Sequence, residues 1–362
     1  MSGSCASRRG LQRVVGAPRG RAVGVILALV MLAVAAAGCG SSSSASSNAP
    51  AGVSVALDWV PNTNHTGIYV ARALGYYRQE GINVQILPYG TTAPETLVAT
   101  GKANFGISYQ AGTTFARAAG EDVVSVFAIL QHDALEIGIR QNNTAINTPK
   151  DLDGKIYAGF GTPDEKPTLV YVIKRAGGTG KFTTVDLNTS AYEAVWSGQA
   201  DFTLSYMTWE AIEGQLAGEP FKPGFALSQL GLPDNYSTLL ISSNAYLNAH
   251  PAIARRFLAA TQRGYEYAAA HPAAAAKILI AADPTGLGTQ TKLVTESAEL
   301  LARSYYLDAA GYAGPQTEAE WSGYGNLMLD AGALTNANGT RITTPPDWST
   351  YFTNAYLPAG SK

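Results

Sequence analysis

Short apolar runs alternate with helical patterns along the first half of the chain. Val53 to Leu57, Asn83 to Leu87 and Phe105 to Ser108 read as strands. Between them, apolar side chains recur at helical spacing near Thr66 to Leu74 and near Pro94 to Thr100. Val123 to Leu130 and Glu136 to Arg140 predict two further strands of a first lobe, and Asn142-Asn143-Thr144 with Thr148-Pro149 then breaks the pattern. The first crossing to another lobe is expected there. A second set runs from the strand Lys155 to Gly159 through a helix near Lys166 to Arg175 to the strand Asp201 to Ser205. Ser237 to Ser242 reads as a strand returning to the first lobe. From Pro251 through Leu301 the pattern is Ala-rich and helical, predicting helices packed on lobe one. Strand and helix in alternation predict an α/β fold class.

The N-terminus follows a different pattern. Arg8, Arg9, Arg13, Arg19 and Arg21 precede an unbroken apolar stretch from Ala22 to Ala37 that stops at Gly38-Cys39. The stretch is shorter than the roughly 20 residues of a spanning helix, and it reads as a secretory leader over 1–38. Ala36-Ala37-Gly38-Cys39 has the form of a lipobox, so Cys39 is expected to carry a lipid anchor on the extracytoplasmic face of the cell membrane. An ordinary secreted protein is the alternative. The Ser-rich, apolar-poor segment that follows makes 39–52 a flexible tether. Cys5 belongs to the leader, which leaves no second thiol for a disulfide, a cysteine metal site or cysteine catalysis.

About 310 residues remain, enough for two lobes with separate cores and therefore for a cleft. The chain has 25 Lys and Arg against 27 Asp and Glu, without a basic cluster beyond the leader, so nucleic acid is not an expected partner. Aromatics and amides become the candidate recognition groups. Asp58 and Trp59 stand at the predicted C-terminal end of the first strand, where open α/β sheets hold their ligands. A carboxylate there accepts hydrogen bonds from ring amines and an indole stacks on a flat ring; helix capping and core packing are the alternatives. Asn62, Asn64, His65 and Thr66 crowd the next loop, open either to solute contact or to capping. Tyr69, one turn on, is placed to close a pocket. Gly159 to Glu165 follows a strand, and its Gly161 and Thr162 are candidates for ligand contact, although Thr162 with Glu165 also spells a capping box. Pro167 argues that the helix starts after Pro163. Tyr109 and Gln110, with Tyr206, Trp209 and Glu210 at another strand end, complete the candidate cage. Glu210 suits an exocyclic amine and Tyr206 or Trp209 suits stacking opposite Trp59, with an interlobe contact as the alternative reading.

The run Leu57-Asp58-Trp59-Val60-Pro61-Asn62-Thr63-Asn64-His65-Thr66-Gly67-Ile68-Tyr69 resembles the binding proteins that carry thiamine-pyrimidine precursors and related ring compounds. It is also similar to the fungal thiamine pyrimidine synthases built on the same fold. The likeness continues through Ala73-Leu74-Gly75-Tyr76-Tyr77, Glu80 to Val84, Gly101 to Gly106, Gly198-Gln199-Ala200-Asp201 and Pro345-Pro346-Asp347. It implies a type 2 periplasmic-binding-protein fold, with 53–140 plus 237–362 as lobe one and 141–236 as lobe two. It further implies a solute-binding lipoprotein, a monomer in the simplest case, that delivers a thiamine pyrimidine precursor to the permease and ATPase subunits of an ABC importer. Riboflavin or another flat heterocycle is the alternative solute. A synthase-like enzyme is the alternative of another class. For that chemistry the resemblance puts Ser108 where a Schiff-base lysine for pyridoxal phosphate is needed, Gly112 where a reacting histidine is needed, and Ser237 to Ser243 where iron-binding cysteines are needed. No cofactor is therefore expected.

Overall fold

A computed structural model describes residues 49–361. The leader, Cys39 and the tether as far as Asn48 lie outside these residues. Among the described residues the strands are β1 (Ala51–Ala56), β2 (Ile82–Leu87), β3 (Phe105–Ser108), β4 (Val124–Leu130), β5 (Leu135–Gly138), β6 (Ile156–Gly159), β7 (Thr183–Asp186), β8 (Phe202–Tyr206) and β9 (Thr238–Ser242). The helices are α1 (Thr66–Ala73), α2 (Tyr76–Gln79), α3 (Pro94–Ala99), α4 (Gln110–Ala118), α5 (Glu165–Arg175), α6 (Ala191–Trp196), α7 (Glu210–Ala217), α8 (Asn244–Ala249), α9 (Pro251–Ala270), α10 (Pro272–Ala282), α11 (Thr291–Ser304) and α12 (Glu318–Asp330). Ala51 and Gly52, expected in the tether, already pair with Ile82 and Asn83.

Two sheets organise the molecule. The first has the order β2-β1-β3-β9-β4, and the second the order β5-β8-β6-β7. In the first sheet β1 is parallel to β2 and β3, whereas β9 runs antiparallel to both β3 and β4. All seven residues of β4 are buried, the pattern of a strand covered on both faces. The second sheet pairs β6 in parallel with β7 and β8 and closes with β5 antiparallel to β8, Leu135 opposite Tyr206.

This pairing corrects one expected boundary. Glu136 to Arg140 were placed in lobe one, yet β5 lies in the second sheet, because its backbone finds partners on β8 and on Phe225, whose carbonyl accepts from Ile137. The crossing is at 131–134, immediately after β4. The return crossing, 233–237, runs beside it: Asp234 Oδ1 accepts from the Asp133 N–H at 2.7 Å, and Ser237 Oγ donates to the His132 carbonyl at 3.1 Å. The break at Asn142-Asn143-Thr144 is instead a turn within lobe two, closed by Asn143 Oδ1 and by Lys222 Nζ, which donates to the carbonyls of Asn143 and Ile146 at 2.6 Å.

Lobe one is held by α9 lying across α1. The two helices meet at their backbones: a Cβ on Gly264 would overlap the Gly67 carbonyl oxygen, and one on Gly67 would enter the Tyr265 ring. Around this crossing Val55, Ile68, Phe105, Phe257 and Leu258 form a buried core, each worth about 1.5–3 kcal/mol of transfer free energy. Tyr265 and Tyr306, both buried, send their hydroxyls to the carbonyls of Asn64 and Thr63 at 2.8 and 2.7 Å. The loop between β1 and α1 is thereby fixed from beneath.

Candidate ligand-binding site

That loop carries the first wall of the site. Asn62 caps the short 3₁₀ turn Thr63–His65, its Oδ1 accepting from the Asn64 N–H at 2.9 Å, while His65 Nδ1 accepts from the Asn62 N–H at 3.3 Å. With Nδ1 an acceptor, the ring proton of the neutral imidazole belongs on Nε2, which donates to Asp58 Oδ1 at 2.8 Å. Of the alternatives open for these side chains, Asn62 and His65 take the capping one. His65 is fully buried, and it orients Asp58, whose carboxylate stays partly exposed. Asn64 is buried beside them. The Trp59 ring lies 5.2 Å from Tyr89 and 6.1 Å, edge-on, from Phe160 of lobe two. The aromatic that meets Trp59 across the lobes is thus Phe160, not Tyr206 or Trp209.

Lobe two presents Phe160 through a single carboxylate. Glu165 Oε2 accepts from the Phe160 N–H at 3.0 Å and from the Tyr157 hydroxyl at 2.7 Å. Its Oε1 accepts from the N–H and hydroxyl of Thr162 at 2.6 and 2.7 Å. Thr162 therefore belongs to the turn, and α5 begins at Glu165, after Pro163. Gly161 makes the turn possible, with φ at +87°, a conformation costly for a residue with a Cβ. Asp164 is buried, and its Oδ1 has no hydrogen-bond partner among the described residues. Burial pushes this carboxyl up to about 6, and the charges of Glu165 and Glu95 add to the rise. Glu95, buried in the first turn of α3, is likewise raised, mainly by burial, while the Ser108 hydroxyl donates to it. Tyr109 stands between these two acids. Its hydroxyl is raised by burial first and then by the charges of Asp164 and Glu95.

Between the lobes lies a cavity of about 20 Å³ lined by Tyr109, Ser237 and Tyr324 on one side and Asp164, Leu204 and Tyr206 on the other. It has room for about one water molecule, so a ring compound needs the lobes to part. A larger open groove of about 370 Å³ separates α7 from residues 289–293, but its lining, Glu213 and Lys292 included, is without aromatics. The chemistry gathers instead around Trp59.

Other expected site residues are engaged elsewhere. Tyr69 is buried against Leu279, Leu287 and Val294, and Trp209 leans on the same cluster, so this tryptophan joins lobe two to the C-terminal helices. Gln110 is fully buried; its amide donates to the Glu320 carbonyl at 2.9 Å and its Oε1 accepts from the Tyr236 N–H at 3.0 Å, tying α4 to α12 and to the return crossing. Tyr206 donates its hydroxyl to the Ser237 carbonyl at 2.9 Å and its N–H to Glu210 Oε2 at 2.8 Å. Glu210 closes that turn rather than waiting for an amine, and burial, with the charges of Glu213 and Glu136, pushes it up to about 7. Tyr89, Glu95, Phe160 and Asp164 are the wall residues that sequence reasoning did not single out. For Phe160 a signal existed, a large aromatic between two glycines at a strand end; for Glu95 none distinguishes a buried acid from an ordinary first-turn glutamate.

The NMT1/THI5-like sequence profile matches residues 62–275, more than half of the chain. The chain belongs to the NMT1/THI5-like family. Among its relatives is a formylaminopyrimidine-binding protein of Halalkalibacterium halodurans, 30% identical over 233 residues that cover 63% of this chain and 69% of the relative. A 4-amino-5-hydroxymethyl-2-methylpyrimidine phosphate synthase of Legionella pneumophila is 28% identical, covering 64% of this chain and 74% of its own length. Among solved structures, the alkanesulfonate-binding protein SsuA of Xanthomonas axonopodis pv. citri, bound to MOPS, superposes with a TM-score of 0.62 at 16% identity, over 80% of this chain and 96% of SsuA. The fold is that of the periplasmic binding proteins, mixed α/β with two sheets. Relatives of this chain are thus named both as binding proteins and as synthases; the positions that the resemblance assigns to the synthase chemistry hold other residues here. Ser108 is committed to Glu95, and a Cβ at Gly112 would stand 2.7 Å from Glu95 Oε1 and 3.1 Å from the Tyr109 ring. Ser237, Ser242 and Ser243 spend their hydroxyls on backbone partners.

Proposed function

We propose that this protein is an extracytoplasmic solute-binding lipoprotein, anchored through Cys39, that captures a thiamine pyrimidine precursor and delivers it to the permease and ATPase of an ABC importer. The observation that carries the reading is Trp59 set between Tyr89 of its own lobe and Phe160 of the other, beside an acidic, aromatic seam. The side-chain charges that act most strongly on Glu95, Tyr109, Asp164, Tyr206 and Glu210 are those of neighbouring acids. Such a wall favours a flat ring that donates hydrogen bonds and disfavours an anion. A ligand that touches both Trp59 and Phe160 interacts fully only when the lobes are closed, so it shifts the population toward closure. The partly exposed carboxylate of Asp58, held by His65, supports the reading that it accepts from an exocyclic amine. The name of the Halalkalibacterium relative supports formylaminopyrimidine or its hydroxymethyl counterpart as the solute.

The test is calorimetric titration with formylaminopyrimidine, hydroxymethylpyrimidine, riboflavin and pyridoxal phosphate. A pyrimidine precursor is expected to bind, with Trp59→Ala lowering affinity by at least about tenfold, the equivalent of about 1.4 kcal/mol for a lost stacking contact. Undiminished binding by that variant would remove the stacking model. Binding of pyridoxal phosphate alone would turn the reading toward the synthases.

A further inference from the structure

The two crossings between the lobes carry a side-chain cluster that the ligand site does not use. His132 lies on the outward crossing, Asp234 on the return crossing and Glu320 on α12 of lobe one, and one donor atom from each falls within 4.8 Å of the others. His132 Nδ1 is 2.7 Å from Asp234 Oδ2. Asp133, next in the chain, is buried with Oδ2 unpartnered among the described residues, and its N–H meets Asp234 Oδ1. Two carboxylates, Asp234 and Glu320, therefore gather around one imidazole. The charges that act most strongly on His132 and Asp133 are those of neighbouring acids. The acidic charges raise His132, Asp234 foremost through its hydrogen bond. The net charge of the group is negative with either form of the ring.

We propose that His132, Asp234 and Glu320 form a site for a divalent transition-metal cation, Zn²⁺ being the fitting case, that links both crossings to α12. One imidazole nitrogen and two carboxylate oxygens are a ligand set suited to Zn²⁺. Around an ion with bonds of about 2.0–2.2 Å such donors lie about 3–4 Å apart. The half-exposed side chains of His132 and Glu320 reach that spacing by small rotations. The imidazole coordinates as the neutral ring through Nδ1, releasing any proton it carries, and Asp234 exchanges its hydrogen bond to the ring for a metal bond. The partial exposure leaves further coordination positions to water. Asp133, which is buried, holds Asp234 through its N–H rather than acting as a ligand. The proposal is independent of which solute occupies the cleft.

Dialysis of the full chain against EDTA, followed by calorimetric titration with ZnCl₂, tests it. One high-affinity equivalent is expected, weakened at least about tenfold in Glu320→Gln and in His132→Ala. Glu320→Gln keeps an acceptor for the Thr317 hydroxyl, so its fold is preserved, and circular dichroism checks both variants. An anomalous-difference peak at the zinc edge in crystals of the zinc-loaded protein should lie within about 2.5 Å of the three donor atoms. Failure of the wild type to bind, affinity unchanged in both variants, or a peak elsewhere would each overturn the site.

Discussion

His65 illustrates how this site is built, since both of its ring nitrogens serve the loop before any ligand arrives. One accepts from the Asn62 N–H and the other donates to Asp58. His65→Ala would leave a buried N–H unpartnered and Asp58 unoriented, and urea unfolding should register a loss of about 2 kcal/mol. Asp58→Asn keeps an acceptor for the ring, so its stability should stay near that of the wild type. The string from Asp58 to His65 was legible in the sequence because its composition is costly as filler. Which of its members face solute was not, because capping and ligand contact draw on the same side chains. Phe160 and Asp164 were missed for another reason: they reach Trp59 and Tyr109 only across the lobes, and no local pattern reports that meeting.

At the level of elements, apolar runs gave most strands and the α/β class directly, β3 to the residue. β7 was invisible because all four of its residues are exposed. β5 was assigned to the wrong lobe because a four-residue strand does not announce its partner; its place follows from the free edge of β8. The backbone crossing of α1 and α9 was also silent in the sequence. Gly264→Ala would drive a methyl group into the Gly67 carbonyl and should destabilise the protein by about 3 kcal/mol, at the upper end for overpacking. Gly288→Ala, where nothing lies within 4 Å of the added atom, should remain within about 1 kcal/mol of the wild type. Comparing the two by chemical unfolding separates steric contact from intrinsic propensity.

For the molecule as a whole, the acids buried between and within the lobes set the response to pH. Asp133, Glu136 and Glu210 are pushed up to about 7 and Asp164 to about 6, in each case mainly by burial. Their unfolded counterparts titrate near 4. Between about pH 4 and 7 the folded protein therefore holds more protons than the unfolded chain, and stability falls as pH rises. The raised His132 acts in the same direction. Asp122 and Asp234, lowered in the folded state, have their effect below about pH 4. Unfolding free energy measured from pH 4.5 to 7.5 should decline across the series, and Glu210→Gln should flatten the slope. The strand order of the two sheets also bears on how the chain matures during synthesis. Among the described residues, β4 finds its strand partner in β9, more than a hundred residues later, and its bridges to Gly314 and Phe352 later still, whereas the second sheet is complete once β8 has emerged. On the ribosome, the lobe that begins second can close first. The lobe that holds Trp59 must wait, its β4 edge open, until Thr238–Ser242 leave the exit tunnel, which makes that interval the one in which the chain is unfinished and open to a chaperone.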